Sequence, residues 1–170
     1  MAHVAARIIL AMGAVAAVTL PTAATAEVVV RFIAPDRFTD AQDRFGSGLS
    51  LRVTLAEVGR IMERYGREAL PPGETLTVDV LDIDLAGFEQ PGANFPYGLR
   101  VVRDITPPRF GLRYVLSHGK RSILSGEEVV TDQSFLMRSS RLSQGSFSHE
   151  RELLRDWFRI RIAERRPQRN

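Results

Sequence analysis

The longest apolar run in the chain comes first. Ile8 to Leu20 is uncharged and almost wholly apolar, preceded by Arg7 and closed by Pro21. After Glu27 the pattern breaks into shorter elements with polar partners. Glu27-Val28-Val29-Val30-Arg31-Phe32-Ile33 is rich in β-branched residues and stops at Pro35, which predicts a first strand. Leu51, Leu55, Val58, Met62, Tyr65 and Ala69 recur at alternating steps of four and three. That is the stripe of an amphipathic helix, with Arg52, Glu57, Arg60, Glu63, Arg64 and Arg67 mostly off it. Pro71-Pro72-Gly73 ends the helix, because proline disfavours helix for itself and for the residue before it. The stripe also has coiled-coil spacing, but so short a seam is expected to pack on the protein's own sheet.

Thr75 to Leu85 alternates, with Leu76, Val78 and Val80 on one face and Thr75, Thr77 and Asp79 on the other: a second strand. Residues 86–98, with Gly87, Pro91, Gly92, Asn94, Pro96 and Gly98, predict a loop long enough to suggest a lid. Segments 99–103 and 109–116 read as strands separated by Pro107-Pro108, and Phe110, Leu112, Tyr114 and Leu116 share one face. Ser117-His118-Gly119-Lys120 predicts a hairpin turn, with 122–130 returning as the next strand. A last helix opens near Ser148, expected as its N-cap, with Glu150 and Glu152 in the first turn. Leu153, Leu154, Trp157, Phe158, Ile160 and Ile162 form its apolar side, Arg161, Arg165 and Arg166 close it, and Pro167 stops it. The order β-α-β-β-β-α predicts an α+β fold. It should be a two-layer sandwich, a mostly antiparallel sheet of about four strands with two helices on one face.

The first apolar run has the layout of a secretory signal peptide: a basic start, an apolar middle, and Ala24-Thr25-Ala26 as small residues at the cleavage site. Such a run makes about 20 Å of helix, short of the roughly 30 Å hydrocarbon core. Residues 1–26 are therefore expected to be removed after Ala26, leaving 27–170 as a single α+β domain with a basic C-terminal helix and tail. No later apolar run is long enough to span a bilayer, so a soluble periplasmic or secreted protein is expected.

Composition narrows the chemistry. A chain of 170 residues allows one ordinary domain. Zero cysteine excludes disulfides, thiolate metal sites, a thiol nucleophile and a lipid-modified N-terminal cysteine. Nine arginines against four acids in residues 138–170 put the basic excess at the C-terminus, and Lys120 is the only lysine. The net charge of +3 is modest and the chain is expected to be exported, so nucleic acid is not an expected partner.

Asp79, Asp82, Asp84 and Glu89 form the only acidic cluster that could hold a hard cation, but it lacks the spacing of a calcium loop, and neither a metal nor a cofactor is expected. Arg100, Arg103 and Arg109 flank the double-proline bend. With Asp82 and Asp84 they are the candidate ligand-binding residues, either as a bidentate clamp for a carboxylate or phosphate or as partners in internal ion pairs. Glu127 and Glu128 are adjacent on a strand and point to opposite faces, so they cannot work as a catalytic pair. His118 and His149 are far apart in sequence, and no hydrolase, phosphate-loop or metalloprotease motif is present. No catalytic residue is assigned. Trp157 and Phe158 are expected in the core, under a surface carrying Arg151, Arg155 and Arg159 that could meet an envelope protein or an anionic envelope component.

Four segments carry a resemblance. Asp82-Ile83-Asp84-Leu85-Ala86-Gly87, Arg100-Val101-Val102-Arg103-Asp104 running into Pro107-Pro108-Arg109, Ser125-Gly126-Glu127-Glu128, and Asp156-Trp157-Phe158-Arg159 are similar to the exported Gram-negative bacterial proteins catalogued as domain of unknown function three thousand and sixteen. Where that family commonly has an acid before the Arg-Val pair, this chain has Tyr97-Gly98-Leu99. The resemblance implies export and a single fold over about residues 28–160, and transfers no catalytic residue. Together these readings point to a non-catalytic periplasmic binding or scaffolding domain. The alternative is a small-ligand binder or enzyme built on Arg100, Arg103, Arg109, Asp82 and Asp84.

Overall fold

The structure, a computed structural model, describes residues 25–42, 50–89, 100–137 and 146–166. The apolar run at 8–20 and most of the 86–98 loop lie outside these residues. A four-stranded sheet forms one layer: β1 (Glu27–Phe32), β2 (Glu74–Asp84), β5 (Arg109–His118) and β6 (Arg121–Thr131), in the spatial order β1-β2-β5-β6. β1 runs parallel to β2 and the other two pairings are antiparallel. Between β1 and β2 the chain crosses over through α1 (Leu51–Ala69), as a parallel pair requires. The second helix, α2 (Ser148–Trp157), continues as a π-helical segment over Phe158–Ala163.

The helical stripe packs as its spacing predicts. Val58, Met62 and Ile61 are buried, and Leu51, Leu55, Tyr65 and Ala69 pack around them against the sheet. Ser50 caps α1 by accepting from the Val53 N–H, and Gly73, at φ 84°, turns the chain into β2. Gly66 lets α1 approach β1: a Cβ there would lie 2.7 Å from Val28. The inner face of the sheet supplies Leu76, Val78, Val80, Ile83, Phe110, Leu112, Tyr114 and Leu116. From the last helix come Leu153, Leu154, Trp157, Phe158 and Ile162.

β2 carries an irregularity between Val80 and Asp82. Without it the alternation from Leu76 would put Asp82 and Asp84 in the core. The extra residue, Leu81, reverses the faces so that Ile83 is buried and both aspartates face outward. Gly111 sits opposite, where a Cβ would lie 3.3 Å from the Asp82 nitrogen.

The other face of the sheet is open and mixes charged residues with exposed Val115 and Val129. Its middle row places Arg31, Asp79, Arg113 and Glu127 on successive strands, opposite in sign at each step. Arg31 grips Asp79 through two hydrogen bonds of 2.6 and 3.0 Å, and Arg113 meets Glu127 at 2.8 Å. Such cross-strand pairs each contribute modestly, about 0.2–1 kcal/mol.

Three expectations are corrected. Of the described residues 100–103 in the segment read as a strand, only Arg100–Val101 (β4) pairs, with Phe88–Glu89 (β3), in a two-stranded ribbon apart from the main sheet. The neighbours of β2 are therefore β1 and β5. Ser148 is the first residue of α2, and the cap position belongs to Phe147, at φ 61° and without a side-chain cap bond. The hairpin turn is tighter than predicted: His118 still pairs with Arg121 across Gly119-Lys120, with Gly119 at φ 57°.

Candidate functional site

The acid–base region around the double proline is held together by its own charges. Arg109 lies opposite Asp84 in the β2–β5 register and reaches Asp84 at 3.2 Å and Asp82 at 3.9 Å. Asp82 also accepts from the Thr39 N–H at 2.7 Å and from its hydroxyl at 2.8 Å. Arg100 meets Asp40 at 2.5 Å and donates to the carbonyls of Leu85, Ala86 and Gly87, tying the end of β2 to the ribbon. Arg103 stands apart from the aspartates, its guanidinium 5.4 Å from the centre of the Phe88 ring. Burial pushes the Asp84 carboxyl above its usual value; the Asp40 and Asp82 charges add to this and those of Arg109 and Arg100 oppose it. Among the described residues no group of three or more histidines and carboxylates has the arrangement of a metal site.

A second network lies inside. Glu128, on the inward face of β6, takes hydrogen bonds from Arg161 on both oxygens at 2.7 Å and from the Trp157 indole at 2.9 Å. Glu128 is 9% exposed and Arg161 7%. Burial alone would raise the Glu128 carboxyl. The Arg161 and Trp157 donors, the Arg161 charge and the Tyr114 hydroxyl outweigh it, and the group sits below the usual carboxylate value. Arg161 also donates to the Arg166 carbonyl, so its guanidinium fastens the end of the last helix as well. Tyr114 closes the network, stacking edge-on with Trp157 at 5.5 Å above Gly126, where a Cβ would lie 2.8 Å from the Tyr114 hydroxyl oxygen.

Sequence reasoning missed this pair, although the signal was present. Arg161 and Glu150 sit in register with the apolar stripe of the last helix, at the spacing of Leu153, Leu154, Trp157 and Phe158. A charge on such a stripe implies a buried partner. Glu150 is likewise buried and accepts from the Ala86 N–H at 2.8 Å.

The segments Ser125-Gly126-Glu127-Glu128 and Asp156-Trp157-Phe158-Arg159 thus meet in space through Glu128 and Trp157. The profile of the family described as Protein of unknown function (DUF3016) matches residues 26–160. The chain belongs to this family. No curated protein matches it. Two of the segments carrying the DUF3016 resemblance are therefore the two halves of one internal contact.

The third group of candidates lies on the outside of the helix layer. Arg151 is 3.6 Å from Glu57 of α1, Arg155 is 3.8 Å from Asp156, and Arg159 pairs with Asp156 and Glu164. Arg151 and Arg155, with Arg60, Arg64, Glu57, Glu68, Ile61 and Tyr65, line a groove of 490 Å³ between α1 and α2. Arg159 is not part of that lining. In this DUF3016 chain, the groove is where arginines of two helices come together, Arg60, Arg64 and Arg155 exposed and Arg151 half-buried.

Proposed function

We propose that the mature protein is an exported, non-catalytic periplasmic domain that binds or scaffolds an anionic envelope component through the arginine face of its helix layer. The observation that carries this reading is how differently the two arginine groups are used. Arg100 and Arg109 are engaged by Asp40, Asp82, Asp84 and three backbone carbonyls, as struts of the fold. Arg151 and Arg155 meet their carboxylates only at 3.6 and 3.8 Å and line a groove shared with a second helix. Export is supported by the signal-like first segment, by β1 beginning at Glu27, next to the expected cleavage point, and by the family match beginning at residue 26. No helix among the described residues is long and apolar enough to cross a membrane.

The test is crosslinking and pull-down of the mature protein from its own envelope fraction, with wild type beside Arg151→Gln/Arg155→Gln. Capture of a discrete envelope component by wild type and its loss in the double variant is the expected result. Capture that is equal for both would move the binding surface elsewhere.

A further inference from the structure

The groove has an order that a solvated surface does not require. α1 supplies Arg60 and Arg64, four residues apart, and α2 supplies Arg151 and Arg155 at the same spacing. Positions four apart on a helix are separated by about 6 Å along its axis. The two helices run in the same sense, since Glu57 meets Arg151 near one end and Tyr65 packs on Phe158 near the other. Glu57 shows that the two ranks face each other: its carboxylate is 2.7 Å from Arg60 and 3.6 Å from Arg151. One anion, the protein's own, already sits between the first pair.

The second pair has no such shared carboxylate among the described contacts. Arg64 turns along its own helix to Glu68 at 3.0 Å, with its guanidinium 5.6 Å from the Tyr65 ring centre. The Asp156 carboxylate beside Arg155 belongs to the next residue, at 3.8 Å, beyond hydrogen-bonding distance. Four arginines against Glu57 and Glu68 leave the lining with a net positive charge, suited to a multiply charged anion. Six of the eight lining side chains are charged, a composition suited to anionic groups and not to acyl chains. Planar guanidinium forks recognise phosphate oxygens two at a time.

We infer that the α1–α2 groove is a binding site for a soluble oligoanion, a ligand presenting two phosphate-type groups about 6 Å apart along the helix axes. One group is shared by Arg64 and Arg155, and the other lies toward Arg60 and Arg151, where it competes with Glu57. This deepens the proposed function and rests on it, since it names the chemistry that the arginine face takes.

The mature chain is titrated calorimetrically at near-physiological salt with tripolyphosphate, with orthophosphate, and with phosphatidylglycerol vesicles. Tripolyphosphate is expected to bind at least about tenfold more tightly than orthophosphate, because two sites act together. Arg64→Gln/Arg155→Gln should weaken tripolyphosphate binding about a hundredfold through the loss of two charge-assisted contacts. Glu57→Gln should strengthen it. Arg113→Gln, on the opposite face of the molecule, should leave it unchanged. The substituted arginines are exposed, so melting temperatures verify that every variant is folded.

Equal binding of the two phosphates, wild-type affinity in Arg64→Gln/Arg155→Gln, or retention on vesicles without tripolyphosphate binding would each overturn the inference. The last result would assign the face to a bilayer surface. Envelope capture that survives in Arg64→Gln/Arg155→Gln would also overturn it while leaving the broader reading intact. Tripolyphosphate binding without envelope capture would do the reverse.

Discussion

Glu128 accepts the indole N–H of Trp157 at 2.9 Å, across 29 residues of chain and between the two layers of the fold. The same carboxylate holds the Arg161 guanidinium, so a strand facing an apolar core carries a charge at its inward position and the helix above it carries the complement. Removing one member leaves the other charge buried and unpaired, which costs more than losing the pair. Glu128→Gln is expected to lower stability by about 3 kcal/mol or more. Glu128→Leu with Arg161→Met should cost less than the two single changes summed. Denaturant melts of the four proteins give the coupling, and additive losses would mean that the pair does not act as a unit.

Trp157 is the only tryptophan and is buried. Its fluorescence should be blue-shifted and poorly quenched by iodide, and Trp157→Ala should cost about 3–5 kcal/mol. Free quenching with an unchanged melting temperature would contradict its place in the core.

Two carboxylates pull the acid dependence of stability in opposite directions. Glu128 titrates below the usual carboxylate value in the folded protein, mainly through its Arg161 and Trp157 hydrogen bonds acting against burial. Its contribution is complete above the unfolded value and is lost as the pH falls through the lowered folded one. Asp84 is raised, chiefly by burial, so its contribution shrinks as the pH rises from the unfolded value to the raised one. Wild type should therefore destabilise on strong acidification more steeply than Glu128→Gln. Asp84→Asn should gain relative to wild type as the pH rises through the carboxylate range. Thermal melts in a pH series read both slopes, and parallel curves for all three proteins would refute the assignment.

Arg109 and Asp84 form a half-exposed pair in register across β2 and β5. A double-mutant cycle with Asp84→Asn and Arg109→Gln should give a coupling of about 0.2–1 kcal/mol. The coupling should be unaffected by EDTA, magnesium or calcium. A large metal-dependent rise in the wild-type melting temperature would instead mark the aspartates as a cation site.

Mass spectrometry of periplasmic material should give an N-terminus at Glu27. Recovery of Met1 in the membrane fraction would contradict cleavage after Ala26.

The parts of the fold legible in the sequence were those governed by a clean period. The α1 stripe, the inward face of β5 and, Ile160 apart, the apolar side of the last helix pack as their spacing predicts, because burial of one face dominates each choice. Of the two readings open for Asp82, Asp84 and the arginines around the double proline, internal ion pairing is the one the geometry shows for Arg109. Charge matching allows it, but order along the chain does not say which strand lies beside β2, and it is the β2–β5 pairing that brings Arg109 there. The Leu81 irregularity, which turns both aspartates outward, could not be placed from alternation alone. Within the candidate groove, Arg151 and Arg155 were singled out from their helix. Arg60 and Arg64 were not, because their approach is a tertiary fact: nothing local in α1 specifies which helix lies beside it.

The last helix has a consequence for the order in which the molecule can assemble. The last helix's contribution to the interior it shares with β6 and α1, from Leu153 to Ile162, lies C-terminal to both. Arg165 adds a tie back to Glu74 across 91 residues of sequence. A chain emerging N-terminus first displays all four strands of the sheet before their final cover exists, and contacts of such long range are slow to close. The stable state is thus withheld until the last helix is in place, so truncations from the C-terminus should unfold the whole domain rather than trim it.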